Sequence, residues 1–150
     1  MNIHFLEQIA KSIPDVSQRY FKQIYVYDYK YGNSVERFSE AHSFPYININ
    51  IKLSQLIQDT PIKLRTYQIT GALQQLIDAY SDKVICLDYY ELLFEPSLAV
   101  DPLLLIKNIS RNKTLIVSWR GKIADNTFIH AEPGHPEYKK YLMQDTYIIK

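Results

Sequence analysis

Two short stretches that are apolar almost without interruption constrain this chain more than any other feature. Val84-Ile85-Cys86-Leu87 and Thr114-Leu115-Ile116-Val117-Ser118-Trp119 are rich in β-branched residues and too brief to be buried helices. A strand with one wet face alternates apolar and polar residues. One without alternation is covered on both faces, as inner strands of a parallel sheet are when helices flank it. Ile24-Tyr25-Val26-Tyr27 reads the same way, whereas Tyr46-Ile47-Asn48-Ile49-Asn50-Ile51 alternates and predicts a half-exposed strand.

Between these strands the period lengthens. From Thr66 to Tyr80, Ile69, Leu73, Leu76, Ile77 and Tyr80 recur at three- and four-residue steps and define one helix face. Asp101 as N-cap and Pro102 at the first helical position open a second helix, expected to end near Ile109. Gly32-Asn33-Ser34 begins a third helical stretch through Phe38 and Glu40, and Leu6 to Ala10 predicts a short N-terminal one. In the tail, Tyr138 to Leu142 and Asp145 to Ile149 can add one or two edge strands after the turn Glu132 to Pro136. Strands and helices alternating in this order predict one α/β domain over residues 1–150, a three-layer, doubly wound arrangement with a mainly parallel central sheet. In such a sheet the ligand crevice lies beyond the carboxyl ends of the strands.

Composition excludes several classes. Hydrophobic residues are 47% and charged residues 22%, which argues against disorder, and no apolar run reaches the roughly 18 residues of a membrane span. The first eight residues lack the basic and apolar regions of a secretory signal, and Cys86 is the single cysteine, so a soluble cytoplasmic protein without disulfides is expected. A net charge of +1 carries no overall footprint for nucleic acid, although Lys113, Arg120 and Lys122 could form a local basic face for DNA or for acidic partners. Tyr25, Tyr27, Tyr29 and Tyr31 alternate along one segment and read as strand packing before they read as a base-stacking platform.

Chemistry is sought at the strand ends. Tyr27-Asp28-Tyr29-Lys30-Tyr31-Gly32-Asn33-Ser34 follows the first strand and can be set against the phosphate loop G-x-x-x-x-G-K-S/T. Gly32 and Ser34 match; Tyr27 replaces the first glycine and Asn33 the lysine. Asn33 carries no charge and a side chain at Tyr27 restricts the turn, so phosphate binding and transition-state stabilisation should both suffer. Lys30 is the cation within the loop that could reach a phosphate. At the end of the third strand, Asp88 occupies the position of a Walker-B acid that holds Mg²⁺ with Ser34, and Glu91 could polarise water; the plain alternative is an acid that ends a strand and caps a turn. Ser118 is placed to sense a γ-phosphate, or simply to satisfy a strand end. Arg111 is placed to act across a subunit interface, or to sit favourably at a helix C-terminus. His130, Glu132 and His135 have no zinc-like spacing and read as a solvated turn.

Taken together, Leu87 to Leu98, Asp101-Pro102-Leu103, Ser110 to Thr114 and Ala131 to Tyr138 resemble BrxF, the family of small P-loop proteins of bacterial bacteriophage-exclusion (BREX) systems, particularly the type-three systems. The resemblance spans nearly the whole chain. It implies a P-loop fold, ATP and Mg²⁺ as ligands, Asp88 as the Walker-B acid, Glu91 as the acid three places on, and partners within a multi-protein phage-defence complex. Members of that family carry an intact Walker A loop, and this chain does not. The expected role is therefore a regulatory or assembly subunit with weak or impaired ATP binding. The alternatives are an ATPase active in an oligomer, with a residue supplied in trans, and a DNA-binding module using Arg111, Lys113, Arg120 and Lys122.

Overall fold

The computed structural model describes residues 3–144 and 146–150. Five strands form one wholly parallel sheet in the order β2-β3-β4-β1-β8: β1 (Gln23–Tyr27), β2 (Tyr46–Asn48), β3 (Val84–Asp88), β4 (Thr114–Trp119) and β8 (Tyr147–Ile149). The unalternating runs are its inner strands, and all six residues of β4 are buried. Alternate residues of each strand enter two different cores. Ile24, Val26, Cys86 and Ile116 pack with Ile9 and Val16 of α1 (Ile3–Val16) and with Val35 and Phe38 of α2 (Ser34–His42). Tyr25, Ile85, Leu87, Leu115 and Val117 face the other way, onto α3 (Ile49–Ile57), α4 (Ile62–Asp78) and α5 (Pro102–Ile109). Helices thus cover both faces, which is why the inner strands show no polar period.

Two sequence expectations are corrected. The alternation from Tyr46 to Ile51 continues as strand only to Asn48, and α3 begins at Ile49. Asn48 is the N-cap, its side chain accepting from the Ile51 N–H, so a polar residue expected on the wet face of a strand instead starts a helix. The N-terminal helix is also longer than Leu6 to Ala10, reaching Val16 because Ile9, Ser12 and Val16 continue one buried face through Pro14.

The tail divides between two sheets. β8 supplies a parallel edge to the main sheet; Asp145, the expected start of that strand, lies outside the described residues. β7 (Lys139–Leu142) joins β5 (Lys122–Ala124) and β6 (Thr127–His130) in a small antiparallel sheet that the sequence reading did not anticipate. Phe128 anchors this sheet, stacking on Trp119 at 4.6 Å and meeting the edge of Tyr25 at 5.4 Å. Among the described residues no helix is long and apolar enough to cross a membrane.

Candidate functional site at the carboxyl edge of the sheet

The parallel register brings the ends of β1, β3 and β4 together: Tyr27 lies opposite Trp119, and Leu87 opposite Val117. Beyond them, Asp88 and Ser118 meet Arg120, the first residue after β4. Asp88 is fully buried and accepts five hydrogen bonds. Arg120 donates twice, from Nε to Oδ1 and from Nη2 to Oδ2, both at 3.0 Å. Ser118 Oγ donates at 2.5 Å, Tyr46 Oη at 2.7 Å and the Tyr89 N–H at 2.9 Å. Burying a carboxylate is tolerable only when charge and hydrogen bonds replace its water, and the paired guanidinium fork is the strongest such replacement.

Arg120 is held from every side. Its guanidinium lies 4.1 Å from the centre of the Tyr89 ring, and Nη1 donates to the Lys30 carbonyl at 2.9 Å. Burial alone would lower its pKa, but the hydrogen bonds and charge of Asp88 outweigh this and raise it, keeping the guanidinium charged. Two phenols beside this centre are also raised. Burial, then the hydrogen bond to Asp88, raises Tyr46; burial raises Tyr90, whose hydroxyl donates to the Ser118 carbonyl at 2.5 Å.

The turn between β1 and α2 contains the loop expected to bind phosphate. Gly32, Asn33 and Ser34 lead into α2, with Asn33 at the N-cap position making no side-chain cap and Ser34 buried. The helix end is taken by another group. Asp28 is buried, and its Oδ2 accepts from the Val35 N–H at 3.3 Å. A Cβ on Gly32 would fall 2.5 Å from Asp28 Oδ1, so glycine here makes room for a carboxylate of the chain itself. Because a helix N-terminus attracts anions, Asp28 occupies the position where a phosphate would be favoured. Lys30 adopts a left-handed backbone at φ 57°, and its ammonium sits over the Tyr29 ring at 5.3 Å.

Glu91 lies beside this network. Its Oε2 accepts from Asn50 Nδ2 at 2.8 Å, while Asn50 Oδ1 accepts from the Leu92 N–H at 2.8 Å, so α3 and the turn after β3 are stapled together. Glu91 also lines a cleft of about 170 Å³ with Phe94, Trp119, Arg120 and His130. Asp88, Ser118 and Glu91 thus come together at one edge, with Ser34, Gly32 and Lys30 on the neighbouring turn. Arg111 does not join them. It precedes β4 and so lies at the opposite end of that strand, donating to the Asn108 carbonyl in the last turn of α5 at 3.2 Å.

The four cations considered for DNA share no face. Lys113 Nζ donates to carbonyls of Ile77 and Tyr80 at the end of α4, Arg120 is spent on Asp88, and Lys122 pairs with Glu132 at 3.2 Å. His130 stacks on Phe94 at 3.8 Å and contacts Glu137 at 3.2 Å, and among the described residues no three His, Cys, Asp or Glu side chains are grouped to hold a metal.

Reading the sequence missed the two residues that matter most here, Asp28 and Arg120, as members of the site. The available signal was a charged residue directly after each of three buried runs, Asp28, Asp88 and Arg120, which must meet if the strands are neighbours. Compared with family models, with curated proteins and with solved structures, the chain matches none.

Proposed function

We propose that the chain is a P-loop-type domain whose nucleotide crevice is filled by its own side chains, serving a phage-defence complex as a regulatory or assembly subunit instead of turning over ATP. One observation carries the reading of the site: Arg120 clamps Asp88 bidentately while Asp28 caps α2, so the metal-binding acid and the phosphate-binding helix end both have internal partners. The order of the main sheet supports the P-loop layout, because it sets the loop after β1 and the acid that ends β3 on either side of the β4 end that carries Ser118. The defence context rests on the resemblance of Leu87 to Tyr138 to BrxF.

For ATP and Mg²⁺ to bind as in an intact P-loop, Arg120 would have to leave Asp88, exposing a buried carboxylate to be neutralised by the metal, and Asp28 would have to leave α2. Neither Asn33 nor Lys30 supplies the missing loop lysine in this arrangement. Calorimetric titration with Mg²⁺ and ATP, alongside a phosphate-release assay, tests this directly. The expected result is neither saturable heat nor released phosphate. Saturable binding abolished by Asp88→Ala would return the site to nucleotide chemistry, and turnover would make the chain an ATPase. The defence role is tested by deleting the chain from a cell carrying the whole system, with loss of phage protection expected.

A further inference from the structure

We propose that the free edge of β8 takes up an extended, acidic segment of a partner protein by strand addition. β8 pairs with β1 on one side and ends the main sheet on the other, so its outer N–H and C=O groups face outward as a template for another strand. An added strand carries side chains alternately above and below the sheet and needs room on both sides. Two grooves provide it. One, of about 940 Å³, is bordered by Arg19, Tyr20 and Met143; the other, of about 300 Å³, is bordered by Lys11, Ser12 and Lys150. Tyr147 and Ile148 line both, so the grooves flank β8 along its length.

Charge selects the occupant. Lys11 and Lys150 are exposed on the border of the smaller groove, and Arg19 is exposed on the border of the larger. Asp15 pairs with Arg19 at 3.0 Å between two exposed side chains and offsets part of its charge, so Lys11 and Lys150, beside the smaller groove, are the cations that select an acidic segment. Arg19 also lies 5.5 Å over the Tyr147 ring, which holds that cation at the strand edge. A second copy presenting its own β8 would bring these cations together, so like-charge repulsion disfavours self-pairing and an acidic strand is the complementary partner. This surface lies away from the Asp88–Arg120 centre and does not depend on whether nucleotide binds.

The test uses the full chain and fluorescent peptides of about eight residues, a common strand length, alternating valine with glutamate or valine with lysine. The glutamate peptide is expected to bind and to slow hydrogen exchange at Tyr147 to Ile149. Reversing Lys11 and Lys150 together to glutamate should weaken it about tenfold at low salt, with the difference shrinking as salt rises. A glutamate peptide N-methylated at alternate residues keeps the charges but cannot pair as a strand, and should not bind. Equal binding of the lysine peptide, retained binding of the methylated one, protection located elsewhere, or no binding at millimolar peptide would each overturn the proposal. Concentration-dependent self-association that protects the same amides would replace the partner with a second copy.

Discussion

The turns after β1 and β3 each bury a carboxylate at the same edge of one sheet, and they hold it by different means. Asp88, the last residue of β3, is matched by a full countercharge and five donors, drawn from β2, β4 and the residues beyond. Asp28, after β1, accepts one backbone N–H, faces the partial positive charge of a helix end and feels the charge of Arg120 only at longer range. The first arrangement ties four segments together and depends on all of them. The second is local and depends on a short turn and a glycine. A buried acid can therefore be structural without being catalytic, and the cost of disturbing it should follow the number of partners it holds.

The largest effect expected from this contrast is at Arg120. Arg120→Ala leaves Asp88 buried without its countercharge and should destabilise the fold by about 3–5 kcal/mol, read by urea denaturation. Replacing Arg120 with Met and Asp88 with Leu together should recover much of that loss, because the double variant has no stranded charge. If the single and double variants were equally unstable, the pair would matter for its packing and not its charge.

At the other turn, Gly32→Ala forces a methyl group against the Asp28 carboxylate and within 3.1 Å of its Cα, and should cost about 1–3 kcal/mol. Combining it with Asp28→Ala should cost less than the sum of the separate changes, a coupling that a double-mutant cycle measures. Asp28→Asn keeps the shape and removes the charge from the α2 N-terminus, and is expected to cost about 1 kcal/mol, falling with added salt. A loss as large as that of Arg120→Ala would show that the two turns are not as unequal as their partners suggest.

The smallest effect at neutral pH comes from Cys86, on β3 below Asp88. Burial, with Asp88 contributing, pushes its thiol up from 9.0 to about 12. The folded state thus prefers the neutral thiol, so this contribution is intact below pH 9.0 and is lost progressively as pH rises toward 12. Burial raises Tyr141 from 10.0 to about 12 and adds a loss of the same sign. In denaturant titrations the fall in stability above pH 9 should be shallower for Cys86→Ala than for the unmodified chain, and native Cys86 should resist thiol reagents at pH 8.

Much of the fold was legible because it depends on local pattern. The runs at Ile24, Val84 and Thr114 show by lack of alternation that both faces are covered, and Asp101-Pro102 marks a helix start that the structure places at Pro102. Asn48 misled because an Asn between isoleucines satisfies the period of a strand and the chemistry of an N-cap equally well, and the choice is made by Asn50 reaching the turn after β3. The small sheet escaped notice because β5 and β6 are three and four residues long and are joined through Asp125 and Asn126, a turn without the glycine that usually signals a hairpin.

By itself, then, the sequence determined the buried strands, most helices, and an acid at the end of β3. Those properties follow from side-chain period and backbone preference over a few residues. The tertiary structure alone decided that β4 lies between β1 and β3, bringing Arg120 to Asp88 across 32 positions of chain. Pairing between buried charges depends on which strands are neighbours, and strand order is set by how the helices pack on the two faces of the sheet.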